Sequence, residues 1–250
     1  MADTHLLPYN DLAAATELFR RIGDEIAAVL VEPVAGNMGV VAPVPGFLEG
    51  LRALTRHAGA LLLFDEVMTG WRVHPGGAQA LYGVSPDLTT LGKVMGGGFP
   101  AAAYGGRRDL MTQVAPLGAV YQAGTLSGNP VAMAAGLATL ELIGAPGAWE
   151  RAERWATEAA YMLSERAQSR GIPLTVQRVG TMFTPFFSDG AVRNYRDARA
   201  ADGIAYARFF HSMLDAGVYL PPSPFEACFT SITHDADSLL HFERAVRQSL

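Results

Sequence analysis

Two apolar runs, "IAAVLVEPV" from Ile26 to Val34 and "ALLLFDEV" from Ala60 to Val67, bracket a third segment, "PGFLEGLRALTRHAG". In that middle segment apolar residues recur at helical spacing between an early proline and a closing glycine. Strand, helix and strand in this order make a βαβ unit, whose strands run parallel because the helix carries the chain back across the sheet. Strands this continuously apolar predict a parallel sheet covered by helices on both faces, and ligands gather at the carboxyl ends of such strands. The chain is therefore expected to be α/β. The residues that close the two runs, Glu32 to Asn37 and Asp65 to Val67, sit at the predicted ligand edge.

Downstream, the short segments "DLTTLGK", "AAAYGG" and "VYQAGT" read as further strands before a helix through "VAMAAGLATLELI". Asn129 is placed to cap that helix and Pro130 to occupy its first position. After Pro146-Gly147 a long amphipathic helix is expected over about 149–170, then strand-like "LTVQRVGTMFTPFFSD". A helix across "YARFFHSMLDAG", a strand "VYLPPS" and a closing helix "DADSLLHFERAVRQSL" follow. The pattern predicts a larger domain over residues 1–146 and a smaller α/β domain over 147–250.

The net charge of −5 and the lack of any basic run argue against nucleic acid, whose phosphates call for clustered Lys and Arg. No apolar stretch approaches the ~18 residues that span a bilayer, and no signal-peptide pattern opens the chain, so a cytoplasmic protein without membrane contact is expected. Hydrophobic residues make up 50% and charged residues only 17%, which points to surface covered by another chain. The single cysteine, Cys228, has no disulfide partner and reads as a small core residue. The six histidines show no metal-ligand spacing, so no metal site is expected.

Of the 19 Lys and Arg residues only one, Lys93 in "TTLGKVMGGGFP", is lysine. Arginine supplies charge at least as well, but a guanidinium is no practical imine-forming amine, so a lone lysine flanked by glycines is a candidate for Schiff-base chemistry. A P-loop is excluded, since Val94 stands where Ser or Thr is needed and Asp87 where the first glycine belongs.

Asp65 ends a strongly apolar strand, where a carboxylate needs a partner; a protonated pyridine nitrogen is one. The alternatives are a cap for the next helix or a Mg²⁺ site with Glu66. If the strand continues, Val67 shares the face of Asp65 and would press on a flat ring. The run "YQAGTLSGNP" offers hydroxyls and amides just before a helix, which suits a phosphate, although a turn with an N-cap explains Asn129 and Pro130 equally well. Glu32 reads either as a pocket residue or as a structural ion-pair partner. A lysine, a terminal aspartate and a phosphate loop together suggest pyridoxal phosphate.

These residues resemble the fold-type I, class III aminotransferase family of pyridoxal phosphate enzymes. The similarity is carried by "EPVAGNMG", "LLFDEVMTGWRV", "PDLTTLGKVMGGGFPAAAYGG", "VYQAGTLSGNPVAMAAGLATLE" and "GVYLPPSPFEACFTS", which together run along the chain. The Asp65 and Lys93 contexts speak for the cofactor; "YQAGTLSGNP" and "PSPFEACF" are similar to the family's aminomutase branch. The resemblance implies pyridoxal 5'-phosphate and its pyridoxamine form as cofactor and glutamate-1-semialdehyde as the small-molecule substrate. The product would be 5-aminolevulinate for tetrapyrroles. It implies that Lys93 binds the cofactor covalently and shuttles protons, that Asp65 meets the ring nitrogen, and that Val67 packs on the ring. It further implies that Gly124 and Thr125 hold the phosphate of the neighbouring subunit, hence a homodimer with shared sites, and that Asn37 lies near the cofactor. Glu226 and Tyr121 are implied as substrate-pocket residues.

Trp71 stands where the family usually has a smaller aromatic, and Ala101 to Ala103 replace a more typical valine-glycine pattern. Family members are longer. The resemblance therefore also implies that the chain starts inside the large domain, lacks the upstream phosphate cup and stacking aromatic, and does not turn over by itself. Two other readings stand beside the aminomutase: a class III aminotransferase using another amino donor, and a non-catalytic remnant that dimerises.

Overall fold

The computed structural model describes residues 3–250. The chain divides into two compact units. One comprises Asp11–Pro33 and Pro45–Ala145; the other combines the N-terminal arm to Asn10 with Val34–Val44 and Pro146–Leu250.

The first unit is built on a four-stranded sheet. Helix α1 (Leu12–Ile22), capped by Asp11, which accepts from the Ala14 amide, precedes strand β1 (Ala28–Val31). Helix α2 (Phe47–Ala58) stops at Gly59 in the left-handed conformation, as the glycine stop predicts, and leads into β2 (Leu61–Asp65). A short α3 (Gly77–Tyr82), β3 (Leu88–Leu91), β4 (Ala103–Gly106), a single turn α4 (Arg108–Met111) and α5 (Pro130–Ile143) complete it. The strands lie in the order β1-β2-β3-β4, the first three parallel and β4 antiparallel. Both apolar runs shorten at their ends, and "VYQAGT" forms an irregular exposed loop instead of a strand.

Covering is unequal on the two faces. Leu62 and Phe64 are fully buried, whereas Leu30 on the other face is 64% exposed. The sheet is pinned instead by Asp87, just before β3. Its Oδ2 accepts from the Leu62 amide at 2.7 Å and from Arg52 of α2 at 2.8 Å, and its Oδ1 accepts from Arg107 at 2.9 Å. Burial pushes this carboxyl up, but the Leu62 amide and the two guanidiniums outweigh it and hold it below its ordinary value.

The second unit has a three-stranded antiparallel sheet, β5 (Thr175–Val179), β6 (Met182–Phe186) and β7 (Cys228–Phe229), in that order. Helices α6 (Ala148–Arg170), α7 (Tyr195–Ala200), α8 (Gly203–Asp215) and α9 (Ala236–Ser249) accompany it. Small residues of α6, Ala156, Ala159 and Ala167, share its core with Phe183, Phe209, Met213, Phe242 and Val246. Each such large side chain contributes roughly 1.5–3 kcal/mol by leaving water. The expected strand "VYLPPS" is absent; its segment is irregular, and β7 forms further on. Pro221 and Pro222 have no amide hydrogen to give a ladder, which is the physical reason.

Candidate active site

Lys93 follows directly on the end of β3. Gly92 is buried and extended, and Lys93 itself has φ +49, in the left-handed region, opening a 3₁₀ turn to Gly96. A non-glycine residue there costs on the order of 1–3 kcal/mol and persists only where its surroundings enforce it. Helix α5 does so. A Cβ on Gly136 would lie 2.5 Å from the Met95 carbonyl oxygen, and one on Gly97 would strike Thr139 Oγ1, so the helix packs directly on the backbone of the turn. The Lys93 side chain stays exposed.

Asp65 terminates β2 opposite Thr90 of β3. Its Oδ1 accepts from the Thr90 hydroxyl at 3.2 Å and from the Val67 amide at 3.1 Å. Among the described residues no donor engages Oδ2. The strand does not continue to Val67, as the shared-face expectation required; the chain turns after Asp65. Val67 nevertheless lies beside the lysine, since a Cβ on Gly92 would meet Val67 Cγ1 at 3.2 Å. A side chain at position 92 would press on Val67, which would have to give by a few tenths of an ångström.

The helix cap is supplied by the next residue along. Glu66 is buried, and its carboxylate accepts from the Ala78 amide at 2.6 Å, the Gln79 amide at 3.3 Å and the Thr69 hydroxyl at 3.0 Å. It thus caps α3, where a carboxylate also meets the positive end of the helix. Asp65 is released from that duty.

Tyr121, Gly124 and Thr125 lie on the exposed loop before α5, Tyr121 at 83% exposure. The Ser127 amide closes a turn onto Gly124 O at 3.0 Å, and Asn129 Oδ1 caps α5 by accepting from the Val131 and Ala132 amides at 3.1 and 3.2 Å. Asn37 and Glu226 belong to the second unit, where both are exposed. Glu32, one residue past β1, is half-buried. The structure thus groups Asp65, Val67 and Lys93 on one edge of the first sheet. Thr90 and Gly136 were not anticipated there. Thr90 was hidden because its partnership depends on strand register across 25 positions.

The edge of a mixed α/β sheet, with a lysine in a strained turn beside a strand-terminal aspartate, defines the class. The chain belongs to the class-III aminotransferase family, whose sequence profile matches residues 2–230. Its architecture is that of fold-type I: an omega-transaminase from Sphaerobacter thermophilus superposes with a TM-score of 0.89 at 30% identity, over 98% of this chain and 56% of that one. Among curated relatives, "Glutamate-1-semialdehyde 2,1-aminomutase 2" of Brevibacillus brevis is 53% identical over 247 residues, 99% of this chain and 57% of the relative. The aminomutase of Roseiflexus castenholzii is 56% identical, over 96% of this chain and 55% of its own length. A glutamate-1-semialdehyde aminomutase from Pseudomonas aeruginosa, solved in complex with PMP, superposes at 0.86 with 29% identity, over 98% of this chain and 56% of that one. The chain spans somewhat more than half the length of these proteins.

Proposed function

We propose that the chain serves glutamate-1-semialdehyde 2,1-aminomutase chemistry, an exchange of amino group within one substrate molecule that yields 5-aminolevulinate, with pyridoxal or pyridoxamine phosphate as cofactor. The observation that carries this reading is the grouping of the sole lysine, held at φ +49, with Val67 and with an aspartate whose Oδ2 has no partner among the described residues. These residues fit the cofactor. The space a Cβ at Gly92 would fill lies beside Val67 Cγ1, so a flat ring has an apolar wall at hand next to the amine.

When bound, the cofactor supplies an electron-poor ring that stabilises negative charge on a neighbouring carbon. Lys93 would hold the cofactor through its Nζ amine and would serve as the general acid and base that moves protons at the substrate carbons. Asp65 would meet the ring nitrogen, while the Thr90 hydroxyl and Val67 amide keep Oδ1 fixed. Val67 would pack on the ring. The Gly124 amide and Thr125 hydroxyl would bind the phosphate of the neighbouring subunit's cofactor, Asn37 would lie near the cofactor, and Glu226 and Tyr121 would serve the substrate.

A homodimer with shared sites is part of the reading, the Thr125 loop serving the partner's phosphate. Support comes from α5 and its preceding loop, where Leu126, Val131 and Leu137 are each more than half exposed; a helix this apolar is normally covered. A cytoplasmic setting goes with it, since one buried cysteine builds no disulfide framework. A transaminase using another amino donor is the second reading, favoured by the higher TM-score of the Sphaerobacter enzyme; 53% against 30% identity favours the aminomutase.

Borohydride reduction with pyridoxal phosphate, followed by peptide mass spectrometry, tests the site. The pyridoxyl group is expected on Lys93 and is lost in Lys93→Arg; an adduct that survives the substitution overturns the assignment. Formation of 5-aminolevulinate from glutamate-1-semialdehyde supports the aminomutase, whereas net transfer from ω-amines to 2-oxoglutarate supports the transaminase.

A further inference from the structure

Val34–Val44 forms a narrow loop in the second unit. Ala35 and Val41 bridge antiparallel through two 3.0 Å hydrogen bonds, which leaves Asn37 at the exposed tip. Val40, next to that bridge, is fully buried, and both polar atoms of its backbone are taken by side chains of the sheet. Its N–H donates to Thr184 Oγ1 at 2.9 Å, and its carbonyl accepts from Gln177 Nε2 at 2.7 Å. Gln177 on β5 and Thr184 on β6 are directly paired in the ladder.

Each of the pair has a second contact. The Thr184 hydroxyl donates to the backbone carbonyl of Glu226 at 3.1 Å, and Gln177 Oε1 accepts from the Val192 amide at 2.7 Å. One residue away, the Gly39 amide donates to Phe225 O at 2.7 Å. Gly39, at φ +78, is the only residue type that fits, because a Cβ would strike the Phe186 ring and stand 3.0 Å from Thr184 Cγ2. A single hydroxyl thus accepts from the segment that bears Asn37 and donates to the segment that bears Glu226.

We infer that Thr184 and Gln177 are positioning residues, a clasp that sets Asn37 and Glu226 in a fixed mutual register. The inference rests on the roles proposed above for those two residues. Its physical basis is the choice of side chain. Thr184 is completely buried on a strand whose every residue is buried, where valine has the same shape, suits a strand equally well and leaves no hydroxyl to satisfy. A buried hydroxyl with both its donor and its acceptor engaged specifies one arrangement of the segments it joins.

The test compares Thr184→Val, which keeps shape and removes the hydroxyl, with Thr184→Ser, which keeps the hydroxyl, both in the full 250-residue chain. Amide hydrogen exchange at Gly39 and Val40 reads the clasp, and the Kd of pyridoxamine phosphate reads its consequence. Pyridoxamine phosphate makes no covalent bond to lysine, so its affinity reports non-covalent contacts alone. In Thr184→Val, exchange at Val40 is expected to quicken about tenfold, the amount that one lost hydrogen bond allows. The Kd is expected to rise by a similar factor, matching Asn37→Ala, while the yield of the Lys93 adduct is unchanged and Thr184→Ser restores both values. Unchanged exchange at Val40 overturns the clasp. Faster exchange with an unchanged Kd makes it purely structural and overturns the positioning role, as does a Thr184→Ser variant that behaves like valine. A wild-type chain that forms no Lys93 adduct and binds no pyridoxamine phosphate is a different failure, that of the functional reading, and the exchange comparison still decides whether the pair holds the two segments.

Discussion

The two units bury their sheets differently. In the unit that carries Cys228, every residue of β6 is buried, and a core of Phe183, Phe187, Phe209 and Phe242 lies between strands and helices. In the unit that carries Lys93, β1 alternates between exposed and half-buried residues, Leu30 stands in solvent, and α5 buries only Ala132 and Gly136 along 14 residues. The first arrangement buries its sheet within itself, although Ile204 and Leu240 on its helices stay more than half exposed. The second adds polar contacts, Asp87 with two arginines and Glu66 on α3, to a core of Leu48, Leu51, Leu62 and Phe64, and leaves apolar side chains of β1 and α5 exposed. Asp65, Val67 and Lys93 lie on one edge of that sheet.

The sharpest way to break this contrast is by thiol labelling. Burial pushes the Cys228 thiol up to about 12, and only the thiolate reacts. At pH 8 Cys228 is expected to react with iodoacetamide about a thousandfold more slowly than an ordinary thiol, while a Leu30→Cys residue in a Cys228→Ala background reacts at the ordinary rate. Equal rates would mean that the closed core opens as readily as the bare strand.

Core truncation comes next. Phe183→Ala should destabilise the protein by about 3–5 kcal/mol, and Leu30→Ala by less than about 0.5 kcal/mol, both measured by urea unfolding. Comparable losses would show that β1 is covered in solution.

Asp87→Asn should cost about 3 kcal/mol, because it leaves Arg52 buried without its counter-charge. The pH dependence follows from the direction of the shift. The folded-state carboxyl lies below its ordinary value, so its contribution is complete above the unfolded pKa of about 4 and is lost as pH falls through the lower folded value. Acid unfolding of the Lys93 unit should therefore steepen below about pH 4 in the wild type and flatten in Asp87→Asn. An unchanged acid limb would remove Asp87 from the account.

The smallest stability effect belongs to Leu137→Gln on the exposed face of α5, within about 0.5 kcal/mol. Sedimentation should nevertheless show weaker self-association, as a dimer built over α5 requires. Unaltered association would place the covering surface elsewhere.

Local chemistry was legible wherever a few neighbouring residues decide the outcome. The strand–helix–strand start, the Gly59 stop, the Asn129 cap with Pro130 behind it, and the long helix before Arg170 all follow from propensity and spacing over a single turn or two. The singularity of Lys93 was likewise visible in the chain itself. The sequence read "VYLPPS" and "VYQAGT" as strands because their apolar residues fit the pattern, but a strand needs a continuous ladder with a neighbour: Val120 makes only an isolated bridge to Val114, and the Val218 amide turns back to the Met213 carbonyl of α8. Asp65 and Glu66 show the same limit at one peptide bond: both are acidic, both follow the same apolar run, and only the arrival of α3 assigns the cap to Glu66 and leaves Asp65 with an open oxygen.

Pairings across long stretches of chain were decided by tertiary structure alone. Thr90 reaches Asp65 through strand register, Arg52 and Arg107 meet on Asp87 from separate elements, and Val40 finds Thr184 across 144 positions. Side-chain type fixes what each group is able to donate or accept, and that much is written in the sequence. Which donor meets which acceptor depends on where the backbone brings them after the apolar surfaces have packed, since a hydrogen bond forms only within about 3 Å and at a narrow range of angles.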